Sequence, residues 1–176
     1  MYQGLSDFQK LIQEDCQFVD KTNFIKEVIN DSAEVMLIVR PRRFGKTLNM
    51  SMLQYFLDQS KSSQDNLFQG LDIAKNTGFC EKHQNQYPVI FISFSNIKYS
   101  DYAEAYEGIS ALPMELYRNY RYLLEGDFLY GDEKVVFKEL LYKKANSANL
   151  RSAVKHMKKK FNKTPIILID EYDTPI

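Results

Sequence analysis

Five consecutive apolar residues, Val35-Met36-Leu37-Ile38-Val39, run directly into Arg40-Pro41-Arg42-Arg43-Phe44-Gly45-Lys46-Thr47. That junction limits what the chain can fold into. A short, unbroken apolar run suits a strand buried on both faces of a parallel sheet. Beyond it, Leu48, Met52, Leu53, Phe56 and Leu57 recur at helical spacing, which predicts a helix from about Lys46 to about Gln59. A strand, a tight loop bearing Gly-Lys-Thr and a helix form an arrangement that holds nucleotide phosphates.

A second apolar run lies far downstream. Ile166-Ile167-Leu168-Ile169 ends in Asp170-Glu171, and a third run, Val89 to Phe94, opens after Pro88. Proline is tolerated at the first position of a strand. Three strands separated by helices predict an α/β fold, a P-loop NTPase-type parallel sheet flanked by helices. The expected organisation over residues 1–176 is a single P-loop domain, which the family resemblance given below makes the N-terminal part of an ATPase domain. It has a helical lead-in at 1–34, strand, phosphate loop and helix at 35–59, a strand at 87–95, a helical layer at 101–161, and the acidic strand at 165–171. The helical layer is longer than a minimal core needs and reads as an insertion before the last strand.

Local signals fill in the lead-in and the layer. Ser6 with Gln9 resembles a capping box ahead of Phe8, Leu11 and Ile12. Thr22 is placed to cap a helix carrying Ile25, Val28 and Ile29. Residues 60–66 are polar and loop-like, and 67–86 show only short helical patterns. Asp101 to Glu125 reads as helix with a break at Pro113, and Gly126 to Asp132 as a turn region. Val136, Phe137, Leu140 and Leu141 mark one further helix; Leu150, Val154, Met157 and Phe161 mark another.

Composition bounds the class. Of 176 residues, 44% are hydrophobic and 26% charged, which is ordinary for a globular protein able to build a core. The 23 basic and 23 acidic residues cancel, so no global field points to nucleic acid or an anionic membrane. Lys155 to Lys160 is a local basic stretch that reads as a solvated helix face. Cys16 and Cys80 have no metal-binding spacing and suit a reducing, cytoplasmic setting. The N-terminus lacks a secretory pattern, and the apolar runs are far too short for a membrane span.

The chemistry follows from the residue types. Amides wrapping into a helix N-terminus donate to phosphate oxygens, and Gly45 allows close approach. The cradle is Arg40, Pro41, Arg42, Arg43, Phe44, Gly45, Lys46, Thr47 and Leu48. Lys46 supplies a point charge to the β- and γ-phosphates, and Thr47 a hydroxyl for Mg2+. Arg40 stands where such loops usually carry glycine. Asp170, at a strand end, is expected to hold Mg2+ through water, and Glu171 to orient or deprotonate an attacking water. The bland alternative is a surface or helix-capping acidic pair. Asp173 is a weaker candidate. His83 and His156 read as surface residues, the tyrosines from Tyr117 to Tyr122 as packing, and Ser93 and Ser95 lack the setting of a serine nucleophile.

These residues resemble the predicted AAA-ATPase-like family of P-loop proteins across nearly the whole chain. The likeness rests on Asp7-Phe8 with Leu11-Ile12, Phe18-Val19-Asp20-Lys21-Thr22, the stretches Arg40 to Leu53 and Tyr87 to Phe94, and Ile167 to Ile176. The family commonly has arginine at the Arg40 position. The resemblance implies an ATPase core using ATP and Mg2+, with Lys46 and Thr47 on phosphate and metal, Asp170 and Glu171 as the acidic pair, and Phe18 to Thr22 near the adenine. Members often continue into a domain similar to PD-(D/E)XK nucleases. The sequence ends six residues after Asp170, so the expected sheet is incomplete at its C-terminus and its open edge invites homo-oligomers. Two further readings are a nonhydrolytic nucleotide-binding or protein-interaction module, and part of a nucleic-acid-processing protein.

Overall fold

A helix that begins on a glycine and ends on an aspartate organises the first half of the chain. The computed structural model describes residues 5–14, 16–39, 41, 44–95, 101, 104, 108, 118, 131, 134–135, 138 and 147–172, the side chains of 63–65, 147–151 and 153 excepted. The chain divides into two units, Met1–Tyr87 and Pro88–Ile176.

In the first unit, α1 (Phe8–Gln13), α2 (Phe24–Asn30), α3 (Lys46–Leu57) and α4 (Thr77–His83) are joined by two 3-10 helices, η1 (Gln59–Phe68) and η2 (Asp72–Lys75). Helix α1 packs on α3. The cap of α1 is Asp7, not Ser6: its Oδ1 accepts the Lys10 amide at 2.9 Å. A carboxylate suits this end because it also meets the positive pole of the helix. The Phe8 amide donates to the buried Ser51 hydroxyl at 3.0 Å, fixing α1 to α3. Phe8, Met52, Leu53, Phe56 and Phe68 are fully or almost fully buried and form the core of this unit.

Helix α3 ends at Leu57 because Asp58 turns extended (φ −74, ψ 114). The last carbonyls of a helix need outside donors. Here the returning chain supplies them: the Asn85 amide donates to Phe56 O at 2.8 Å and the Tyr87 amide to Leu57 O at 2.9 Å. Asn85 adopts a left-handed φ of 54 to make that approach. The Asp58 carboxylate accepts from the Ser60 amide at 2.9 Å and starts η1, where the polar composition alone suggests a loop.

Burial pushes the Asp58 carboxyl above its ordinary value, against the opposing Ser60 hydrogen bonds and the Lys61 charge. A carboxyl whose folded pKa is raised favours the folded state most at low pH. Its contribution is complete below the unfolded value, about 3.9, and falls away as pH rises through the folded one. Asp58→Asn keeps the cap acceptor without the buried charge. Its thermal midpoint at pH 7 should be no lower than wild type, and wild type should gain on it as pH falls toward about 4. Asp58→Ala, which loses the cap, should cost about 1 kcal/mol at pH 7.

Asp20 and Thr22 clamp the lead-in onto η2. Asp20 Oδ1 accepts the Thr22 amide at 2.8 Å and its hydroxyl at 2.7 Å, Oδ2 accepts the Asp72 amide at 2.7 Å, and Thr22 Oγ1 accepts the Ile73 amide at 3.0 Å. Thr22 therefore does not cap α2 with its side chain; α2 starts after Asn23, which makes no side-chain cap either. Burial alone would raise the Asp20 carboxyl, but the Thr22 and Asp72 amides, the Thr22 hydroxyl and the Lys75 charge hold it below its ordinary value.

The expected strand at Val35 to Val39 does not form. The segment is irregular, with Val35 86% and Val39 76% exposed. The physical reason lies in its surroundings. An apolar strand of this kind needs a ladder on its edges and cover on its faces, and no strand flanks it among the described residues of its unit.

In the second unit, β1 (Val89–Ser93) and β2 (Ile166–Asp170) pair in parallel, with Val89 opposite Ile166 and Ser93 opposite Asp170. This is an α/β arrangement with a two-stranded parallel sheet among the described residues. The Ile166 amide donates to Pro88 O at 2.9 Å and the Phe94 amide to Asp170 O at 3.0 Å, extending the ladder at both ends. Helix α5 (Ser147–Phe161) precedes β2. Asn162, at φ 50, stops it in the left-handed conformation common after a helix C-terminus. Met157 and His156 are buried on α5, while Lys155, Lys158 and Lys159 are exposed. The surface assignment of His156 is thus wrong: its position beside Met157 faces inward.

Of the expected helical layer, Glu104, Gly108, Arg118, Lys134, Val135 and Lys138 are helical, and so is Gly131, where a turn is expected. Pro113, the tyrosines of 117–122, and Val136, Phe137, Leu140 and Leu141 lie outside the described residues.

Candidate phosphate-binding turn and acidic strand end

The turn before α3 is set by one residue. Gly45 sits at φ 74, ψ 25, left-handed, and is the N-cap of α3. A side chain is disfavoured there by conformation, and nothing lies within 4 Å of where a Cβ would stand. The space above the backbone is open. A glycine N-cap contributes no side-chain acceptor, and the first turn of α3 carries no acidic residue.

The first turn closes with Asn49 N donating to Gly45 O at 2.9 Å. The amides of Lys46, Thr47 and Leu48 precede that bond and have no intrahelical acceptor. Lys46 and Thr47 are half-exposed at this end, and Leu48 is partly covered. Phe44 and Pro41 are exposed. Arg40, Arg42 and Arg43 lie outside the described residues. A twelve-residue helix thus starts with free amides, an open approach, a lysine and a hydroxyl, and no competing carboxylate. That donor set matches a polyanion.

The acidic strand end lies in the other unit. Asp170 is the last residue of β2 and only 5% exposed. Its backbone carbonyl is used by Phe94, but its carboxylate makes no hydrogen bond among the described residues. Glu171 follows at φ 52, an uncommon conformation for a residue with a Cβ, which turns the chain sharply at the strand's end. Ligand chemistry in open α/β sheets collects at these carboxyl ends of parallel strands.

No group of three or more His, Cys, Asp or Glu side chains suited to a metal occurs among the described residues. A nucleotide-bound Mg2+ asks for less: one or two protein oxygens, with phosphates and water completing the shell. Thr47 in one unit and Asp170 in the other are each oxygen donors of that type.

Two residues read differently from the sequence. His83 is half-buried, its Nδ1 2.6 Å from Tyr87 Oη and its ring 4.6 Å from that of Phe79. It is part of an aromatic row, not a surface residue. Ser93, set aside as a nucleophile, stands in register opposite Asp170. The only signal in the sequence is its position as the last residue of the strand. Of the two thiols, Cys16 is exposed, while Cys80 donates to Ile73 O at 3.3 Å and is pushed up by burial. No described helix is long and apolar enough to cross a membrane.

The chain has a glycine-turned helix start in one unit and an acidic strand end in the other. The match to known families is specific: a family model described as a predicted AAA-ATPase covers residues 2–176, and the chain belongs to that family. No curated protein and no solved structure matches it.

Proposed function

We propose that this chain is an ATP-binding P-loop module, built for Mg2+-dependent ATP hydrolysis in its complete domain. The observation that carries the reading is the left-handed Gly45 opening α3 without a side-chain cap, directly before Lys46 and Thr47. Membership of a predicted ATPase family supports it.

In this reading the amides of Gly45 to Leu48 orient the phosphate chain, with Arg40, Pro41, Arg42, Arg43 and Phe44 completing the loop. Lys46 would neutralise charge on the β- and γ-phosphates, Thr47 would offer Mg2+ a hydroxyl, and Asp170 would offer it a carboxylate. Bound Mg2+ supplies charge neutralisation at the phosphate oxygens. Glu171 accepts a proton from, or aligns, the attacking water. The Phe18 to Thr22 segment serves the adenine. Within it Asp20 and Thr22 are occupied by the clamp, which leaves Val19, 73% exposed, as apolar surface for a base.

Titration with a fluorescent ATP analogue tests this. Wild type should bind more tightly with Mg2+ than without. Asp170→Asn should retain metal-free binding and lose most of the Mg2+ enhancement. Glu171→Gln should bind like wild type and release no phosphate. Equal binding by all three proteins with and without Mg2+ would refute the acidic pair's role; phosphate release unchanged in Glu171→Gln would remove its catalytic one.

A further inference from the structure

Parallel pairing puts residues in register on the same face of the sheet, about 4.8 Å apart. Ser93 is the register partner of Asp170, and both lie at the carboxyl ends of their strands. Alternation places Leu168, also buried, on the Asp170 face, while Ile167 and Ile169 lie on the other face with Ile90 and Ile92 as their register partners. Ser93 therefore stands beside Asp170, whose carboxylate makes no hydrogen bond among the described residues. It is also held in place. Ser93 Oγ lies 3.0 Å from Ser95 Oγ, to which it donates, and accepts from the Ser95 amide at 3.3 Å. A hydroxyl oxygen has two acceptor positions, so one remains.

We propose that Ser93 is a positioning residue for the cation held by Asp170, its remaining lone pair accepting a hydrogen bond from a water on that cation. This rests on the assignment of Asp170 as a metal ligand. Mg2+ keeps several of its waters in protein sites, and groups that orient those waters or ligands typically govern metal affinity by 10- to 100-fold. Ser95, by fixing the Ser93 hydroxyl, sets the direction of that acceptor.

The test compares Ser93→Thr with Ser93→Val, two β-branched side chains of the same shape that suit a strand equally. Mn2+ uptake in the presence of a non-hydrolysable ATP analogue is read by electron paramagnetic resonance, which counts free Mn2+. Ser93→Thr should match wild type, and Ser93→Val should bind Mn2+ about tenfold more weakly, with metal-free analogue binding unchanged in both. If Ser93→Val takes up Mn2+ like Ser93→Thr while Asp170→Asn does not, the Ser93 role is overturned and the Asp170 role stands. If Asp170→Asn also binds Mn2+ like wild type, both fall. Weak Mn2+ binding in both Ser93→Thr and Ser93→Val likewise overturns the proposal, because the hydroxyl would then not be what matters.

Discussion

Lys46→Ala should lower nucleotide affinity at least a hundredfold, measured by titration with a fluorescent ATP analogue, while leaving the thermal midpoint within about 1 °C of wild type. The asymmetry follows from where Lys46 sits. It is the first residue of α3, half-exposed, and alanine is the best helix former, so the fold loses nothing by the exchange. A lysine at a helix N-terminus is in fact on the wrong side of the helix dipole. Its benefit appears only when an anion arrives. Charge-assisted hydrogen bonds contribute roughly 1.5–3 kcal/mol each; two of them to phosphate oxygens give about 3 kcal/mol or more, which is over a hundredfold. Lys46→Arg should recover only part of this, because a planar fork does not replace a compact ammonium. Affinity equal to wild type in Lys46→Ala would defeat the nucleotide reading of this turn.

The parts of the molecule legible in the sequence are those whose cause is local. Helix α3 declares itself through Met52, Leu53, Phe56 and Leu57, since periodicity is the burial pattern itself. Strands β1 and β2 do so through unbroken apolar runs, and the turn at Gly45 through a left-handed conformation that glycine adopts at least cost. What escapes the sequence depends on distant partners. Val35 to Val39 has the composition of a buried strand, but a strand is a property of a pair. The Asp20–Thr22 clamp links residues 51 and 52 positions apart to η2, and no spacing rule announces such a pairing. Nor does a histidine reveal its burial: His156 reads as polar until α5 is wound and Met157 beside it is seen to face in. The same holds for the candidate site. The turn at Gly45 is contiguous, hence readable; the register that sets Ser93 against Asp170 is not.

Phe68→Ala should destabilise the unit of residues 1–87 by about 3–5 kcal/mol, the range for truncating a buried phenylalanine. Phe68 is 2% exposed and joins two sides of the core. Its ring stacks on Phe8 at 5.1 Å and meets Phe56 edge-on at 5.1 Å, and Phe56 in turn stacks with Phe79 at 6.1 Å. One side chain therefore couples α1, α3 and η1. Each aromatic pair adds about 0.5–1.5 kcal/mol beyond burial, and the ring's removal forfeits two pairs as well as leaving a cavity. The position is also poorly able to relax, because η1 is anchored at its start by Asp58 and the chain beyond it by the Asp20–Asp72 bond. Phe68→Leu, which keeps most of the volume, should cost markedly less. Urea unfolding monitored by circular dichroism is the measurement: a lower midpoint at unchanged slope marks lost stability and not a changed denatured state. A loss under about 1 kcal/mol would mean that the Phe8–Phe68–Phe56 stack does not hold this unit together.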